Sequence, residues 1–183
     1  MALTDEQIQD IQQQTKEASS TKEPGDVIKA GGKQYEVVAS TGPDSVTQGI
    51  SVAPIVKGEP DYSQTAIVVA GTQPPNDEKG NGLGNELDST FRAIIQSDTG
   101  YSIQGRDVEA LYQQTEANLN AHGGGEITNM SGHSQAGPAV AKVAANHNVD
   151  RVTNFSDWGG GMAYINGYIS EEDKKYLDKH AHI

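Results

Sequence analysis

Ser134 is the residue whose setting in this chain could do covalent chemistry. It stands in Gly132-His-Ser-Gln-Ala136, a G-x-S-x-A pattern, between the β-prone run Glu126-Ile-Thr-Asn-Met-Ser131 and the alanine-rich, helix-forming run from Pro138 to His147. A strand, a tight turn carrying a serine and a helix together form a nucleophile elbow, which presents the hydroxyl on a strained backbone. Such a turn needs small residues where the strand and helix backbones approach each other, and Gly132 and Ala136 meet that need. The second glycine of the usual pattern is alanine here, and Gly137 follows at once. The chemistry indicated is acyl transfer to water through an acyl-serine. The bland alternative is a glycine-rich strand-to-helix turn with an incidental serine.

Serine hydrolysis also needs a base, an acid to orient it, and donors for the oxyanion. The expected donors are the backbone N–H of Gln135, the residue after the nucleophile, and Thr72, which follows Gly71 at the end of the apolar run Ile67-Val-Val-Ala70. Otherwise Gly71-Thr72 simply ends a strand. His122-Gly-Gly-Gly125 looks like an oxyanion loop but immediately precedes the nucleophile's own strand, so it reads as a helix stop and helix-to-strand turn. Gly80-Asn-Gly-Leu-Gly84 lacks dinucleotide spacing, and Asp77, Glu78, Glu86 and Asp88 lack the calcium-loop pattern. No cofactor and no metal is expected.

The base is the difficult member. His133 sits beside the serine within the turn, where its side chain belongs to the scaffold, and His147 falls in the last turn of its helix, a favourable place for partial positive charge. His180 and His182 lie in the last four residues and reach the serine only if the tail folds back. Asp157, after the strand that follows the nucleophile helix, is the best acid present, or else a helix or turn cap.

These residues need a scaffold. Thr4 followed by Gln7 predicts a capped, polar helix to about Ser20 with Ile8 and Ile11 on one face, and residues 19–25 read as a linker. Val27-Ile28, Tyr35 to Ala39 and Gly49 to Val56 read as antiparallel strands joined by turns, with Pro54 confining the last to an edge or strand end. Ile67 to Ala70 suits a central strand buried on both faces. Helices are expected from near Glu86, carrying Leu87, Phe91, Ile94 and Ile95, and from Ile103 to Ala121, carrying Val108, Leu111, Tyr112, Thr115 and Leu119. A short strand over Arg151 to Phe155 follows the serine's helix. The order implies an α/β fold with a mostly parallel central sheet, helices on both faces and an antiparallel N-terminal lead-in. Residues 1–24 form the N-terminal helix and linker, and 25–183 the domain.

With 183 residues the chain suits one core. A net charge of −12 disfavours nucleic acid, whose phosphates it would repel. With no cysteine, disulfide, thiol and zinc–thiolate chemistry are excluded. Mean hydropathy is −0.59 and no apolar run is long enough to span a membrane. The start, Met-Ala-Leu-Thr-Asp-Glu-Gln, is acidic rather than a signal peptide. Export by a signal-peptide-independent route and a cytoplasmic location both stay open, as does the oligomeric state.

Gly49-Ile-Ser-Val-Ala-Pro54, the segment Asp61 to Thr72 ending in Ala-Gly-Thr, Thr128 to Gly137, and Asn154-Phe155 ahead of Ile169-Ser-Glu-Glu172 together resemble lipase-like α/β-hydrolases of bacteria. They are similar to the class 3 lipase group, particularly lipase-like proteins of Gram-positive bacteria that include secreted effector domains. The similarity runs from about Val27 onward. It implies that Ser134 is the nucleophile, that Thr72 contributes to the oxyanion hole, and that the substrate is a small-molecule or lipid ester. In that group the Ser-Glu-Glu helix leads into another strand whose loop carries the acid, with the histidine later still. This sequence ends at Ile183, so the resemblance assigns neither. Three possibilities follow: a sequence that continues past Ile183, Asp157 working with a terminal histidine, or a hydrolase-like domain that binds without catalysing. A non-hydrolytic acidic α/β domain is a weaker fourth.

Overall fold

The structure is a computed structural model describing residues 3–70, 98–133, 136–154 and 170–182, of which 98–103, 181 and 182 are described by backbone alone. Helix α1 (Asp5–Thr21) starts at a full capping box. Gln7 N donates to Thr4 Oγ1 at 3.1 Å, and Thr4 N donates to Gln7 Oε1 at 2.9 Å. This satisfies two backbone donors that a helix start otherwise leaves unpaired. Its face of Ile8, Ile11, Thr15 and Ala18 is buried.

Strands β1 (Val27–Ala30), β2 (Lys33–Ser40) and β3 (Gln48–Val56) form an antiparallel meander, and the short β4 (Glu59–Pro60) folds back on β3. β3 is an interior strand rather than an edge, and Pro54 lies within it, level with Tyr35 of β2; it is tolerated past Val52, the last β3 residue paired with β5. A 3₁₀ turn (Tyr62–Gln64) leads into β5 (Thr65–Ala70), which pairs antiparallel with β3 and is buried at all six positions. Helix α2 (Asp98–Ala121), β6 (Ile127–Gly132), α3 (Gly137–His147), β7 (Arg151–Thr153), α4 (Glu171–His180) and β8 (Ala181–His182) complete the described elements. The sheet order is β1-β2-β3-β5-β6-β7-β8, with β5 through β8 parallel. This is an α/β fold with a mixed sheet.

The period-two alternation of β5 divides the core. Ala66 and Val68 join Ile8, Ile11, Tyr35, Val37, Ile50 and Val52 beneath α1, whereas Ile67 and Val69 join Val108, Leu111, Val140 and Ala144 beneath α2 and α3. α1 is therefore packed as a layer covering one sheet face, and the other helices named here cover the opposite face. The stop after α2 follows from its glycines. Gly123 and Gly124 take φ of 94° and 106°, where a side chain would be strained, and Gly124 N donates to Leu119 O at 2.8 Å. His122-Gly-Gly-Gly125 is thus the turn from α2 into β6.

α4 docks beside α3 through Asp173, which accepts from Lys142 Nζ at 2.5 Å and from Ser170 N at 3.1 Å. Burial works to raise the Asp173 pKa, but the Lys142 and Ser170 hydrogen bonds outweigh it and hold the carboxyl below its ordinary value. No described helix is long and apolar enough to cross a membrane.

Candidate functional site

The carboxyl ends of β5 and β6 lie side by side. Val69 is level with Gly132, and His133 N continues the ladder by donating to Val69 O at 3.0 Å. Whatever follows Ala70 and whatever follows His133 therefore leave the sheet from neighbouring points. Thr72 follows Ala70 by two residues, while Ser134 and Gln135 come between His133 and Ala136 in the sequence. These three, together with Asp157 and the region proposed for a helix near Glu86, lie outside the described residues.

The residues on either side of them are described. Ala136 N donates to His133 O at 3.1 Å, and α3 begins at Gly137 with Pro138 in its first turn. The strand and helix are pressed together at Gly132. A Cβ built there would lie 2.9 Å from Ala136 O, and 3.0 Å from both Ala136 C and Gly137 Cα. All three neighbours are backbone, so none can rotate aside. Gly132→Ala is accordingly expected to destabilise the fold by about 1–3 kcal/mol, the cost of overpacking a rigid site. For a chain of this length that is a fall in Tm of about 2–4 °C per kcal/mol, read in a thermal melt; an unchanged Tm would show that the two backbones separate freely.

Asn154, one residue past β7 and 2% exposed, ties this junction together. Its Oδ1 accepts from Gly132 N at 2.8 Å and its Nδ2 donates to Gly137 O at 3.3 Å, spanning the end of β6 and the start of α3. From the other face, Gln12 Nε2 of α1 donates to Val69 O at 3.0 Å and lies 3.3 Å from Ser131 Oγ. Sequence reading missed both roles. The available signal was a polar residue directly after an apolar strand at Asn154, and a glutamine one position past the buried Ile11 in α1.

The histidines separate clearly. His147 is structural: its Nε2 lies 2.8 Å from both Glu109 carboxylate oxygens, and its ring stacks on Tyr112 at 3.9 Å, tying α3 to α2. Tyr112 has its pKa raised by burial and by the charges of Glu116 and Glu109. His122 stacks on Tyr62, and the His133 side chain is exposed. His180 stacks on Tyr176, and its Nδ1 lies 3.0 Å from Asp150 O; because a carbonyl only accepts, Nδ1 carries the hydrogen. Asp150 precedes β7, whose first residue Arg151 is level with Asn129 of β6. His180 is therefore held at the amino edge of the parallel strands, the edge opposite the Gly132 turn. His182 is level with Thr153 on β8, toward the carboxyl edge and two strands from β6.

The described residues thus bring the carboxyl ends of β5 and β6 and the start of α3 together, and they do not bring His180 to them. Among the described residues no cluster of His, Asp or Glu could hold a metal ion. No family model and no curated protein matches the chain.

Proposed function

We propose that the protein is a carboxylic-ester hydrolase of the lipase-like α/β-hydrolase type, with Ser134 as nucleophile. The observation that carries this reading is the backbone contact at Gly132, the close approach of strand and helix that a nucleophile elbow requires. The antiparallel lead-in and the parallel order β5-α2-β6-α3-β7 support it. In this chemistry the Ser134 hydroxyl oxygen adds to the ester carbonyl carbon and its proton passes to a base. The Gln135 N–H and Thr72 stabilise the oxyanion. The C–O bond to the alcohol breaks as that oxygen takes the proton, leaving an acyl-serine. Water then adds, the acid is released and the serine is restored.

A second reading, a hydrolase-like domain that binds without catalysing, is favoured by the place of His180, whose Nδ1 is engaged with Asp150 O at the far sheet edge. Without a base the serine hydroxyl stays protonated at neutral pH and is a poor nucleophile. A fluorophosphonate probe followed by mass spectrometry distinguishes the two. Rapid, stoichiometric labelling at Ser134 at neutral pH is expected from a hydrolase with its base in place. Labelling no faster than that of the chain's other serines would leave the binding domain as the better account.

A further inference from the structure

Ser131, Gly132 and His133, which lead up to Ser134 in the sequence, are each fixed by a different part of the chain. Gly132 N donates to Asn154 Oδ1 at 2.8 Å, and His133 N donates to Val69 O at 3.0 Å, the bond that joins the end of β6 to β5. Ser131 is reached from α1, whose Gln12 Nε2 lies 3.3 Å from its Oγ. The same amide nitrogen donates to Val69 O at 3.0 Å, so that carbonyl accepts from His133 and from Gln12 at once. A carbonyl oxygen has two lone pairs and can serve both donors. Because it only accepts, the amide must present its nitrogen there, which fixes how the Gln12 side chain is turned.

One side-chain amide thus bridges the carboxyl ends of two parallel strands, from the sheet face opposite α3. Its place on α1 makes the residue type informative. Gln12 comes four residues after Ile8 and directly after Ile11, at the margin of the buried face of Ile8, Ile11, Thr15 and Ala18. An apolar side chain there would extend that face. A glutamine gives up more rotamer freedom on ordering, and its amide is costly to bury unless it is bonded. A polar side chain at the margin of an apolar helix face breaks a local rule, and such breaks concentrate where function makes a demand. What Gln12 holds is the pair of strand ends that lead to Thr72 and Ser134.

We propose that Gln12 is a positioning residue for the reaction at Ser134, which makes α1 part of the site; this rests on the hydrolase reading above. Gln12 touches no reacting atom. It acts through Val69 O and Ser131, fixing the end of β6 against the end of β5 and so the nucleophile against its oxyanion donors. A misplacement of about 1 Å between such groups can cost on the order of 10²-fold in rate.

The test measures fluorophosphonate labelling of Ser134 by mass spectrometry in the parent, Gln12→Leu, Gln12→Met and Ile28→Val, together with Tm and amide hydrogen exchange at His133. Leucine and methionine keep apolar cover on the sheet but cannot donate, so both Gln12 variants should melt close to the parent. Their Ser134 should label about tenfold more slowly and their His133 N–H exchange about tenfold faster, the upper end of one hydrogen bond's net worth. Ile28→Val loosens the apolar core beneath α1 on β1, at the far side of the sheet from β6. It should lower Tm while Ser134 labels at the parent's rate. A parent that labels, with both Gln12 variants labelling equally fast, would overturn this role alone. Equal slowing in Ile28→Val would overturn it too, by making the effect one of helix docking in general. A parent that does not label at Ser134 would overturn the hydrolase reading and this role with it.

Discussion

Ser134→Ala is expected to remove ester hydrolysis, with turnover of short p-nitrophenyl esters falling by about 10⁶, the scale for deleting the nucleophile of an intact triad. The expected size depends on what else is present. If a base is in place, the loss is of that order. If none is, the unsubstituted protein already works only through oxyanion donors and binding, which leave roughly 10³- to 10⁴-fold catalysis over water, and the variant loses little. The ratio of the two rates therefore reports on the base as well as on the serine. The alanine variant should melt at the same temperature as the parent, since removing a hydroxyl adds no bulk at the turn. Equal turnover by both proteins, in a preparation that labels with fluorophosphonate elsewhere, would remove Ser134 from the reaction.

The parts of this fold that could be read in the sequence are those specified locally. Thr4 and Gln7 cap α1 through bonds three residues apart, and Gly123-Gly124 stops α2 because the required φ values are positive. Ile67 to Ala70 is an unbroken apolar run because β5 is covered on both faces. The N-terminal helix was harder to place. Its polar composition suggests a peripheral segment, but four small or branched residues, Ile8, Ile11, Thr15 and Ala18, suffice to cover a sheet face. What could not be read are contacts between residues far apart in the chain. Asn154 meets Gly132 across 22 positions, and Gln12 meets Val69 across 57. Nothing in local spacing encodes either bond. His180 shows the same limit in reverse: chain order made it a candidate base, whereas the position of Asp150 at the amino end of β7 decides where its imidazole sits.

Asn154→Ala should destabilise the protein more than its single amide suggests. The side chain is buried and two-sided, accepting from Gly132 N and donating to Gly137 O. Truncation leaves the Gly132 N–H without that acceptor in a place closed to water, a loss of about 1–3 kcal/mol for one unsatisfied buried group, with a smaller addition from the Gly137 carbonyl. A total of about 2–3 kcal/mol corresponds to a fall in Tm of roughly 4–12 °C. Asn154→Asp should not rescue it, because a carboxylate can still accept from Gly132 but turns a second oxygen toward the Gly137 carbonyl. Asn154→Leu should fail as well, since it fills the space and satisfies neither partner. The stability loss follows from the clamp alone, whatever the serine does. What ties the clamp to function is the probe reaction: at a temperature where each variant is still folded, Asn154→Ala should label at Ser134 more slowly than the parent, because the turn is no longer held between β6 and α3. A lowered Tm with an undiminished labelling rate would make Asn154 a purely structural residue, and an unchanged Tm would mean that Gly132 and Gly137 find other partners.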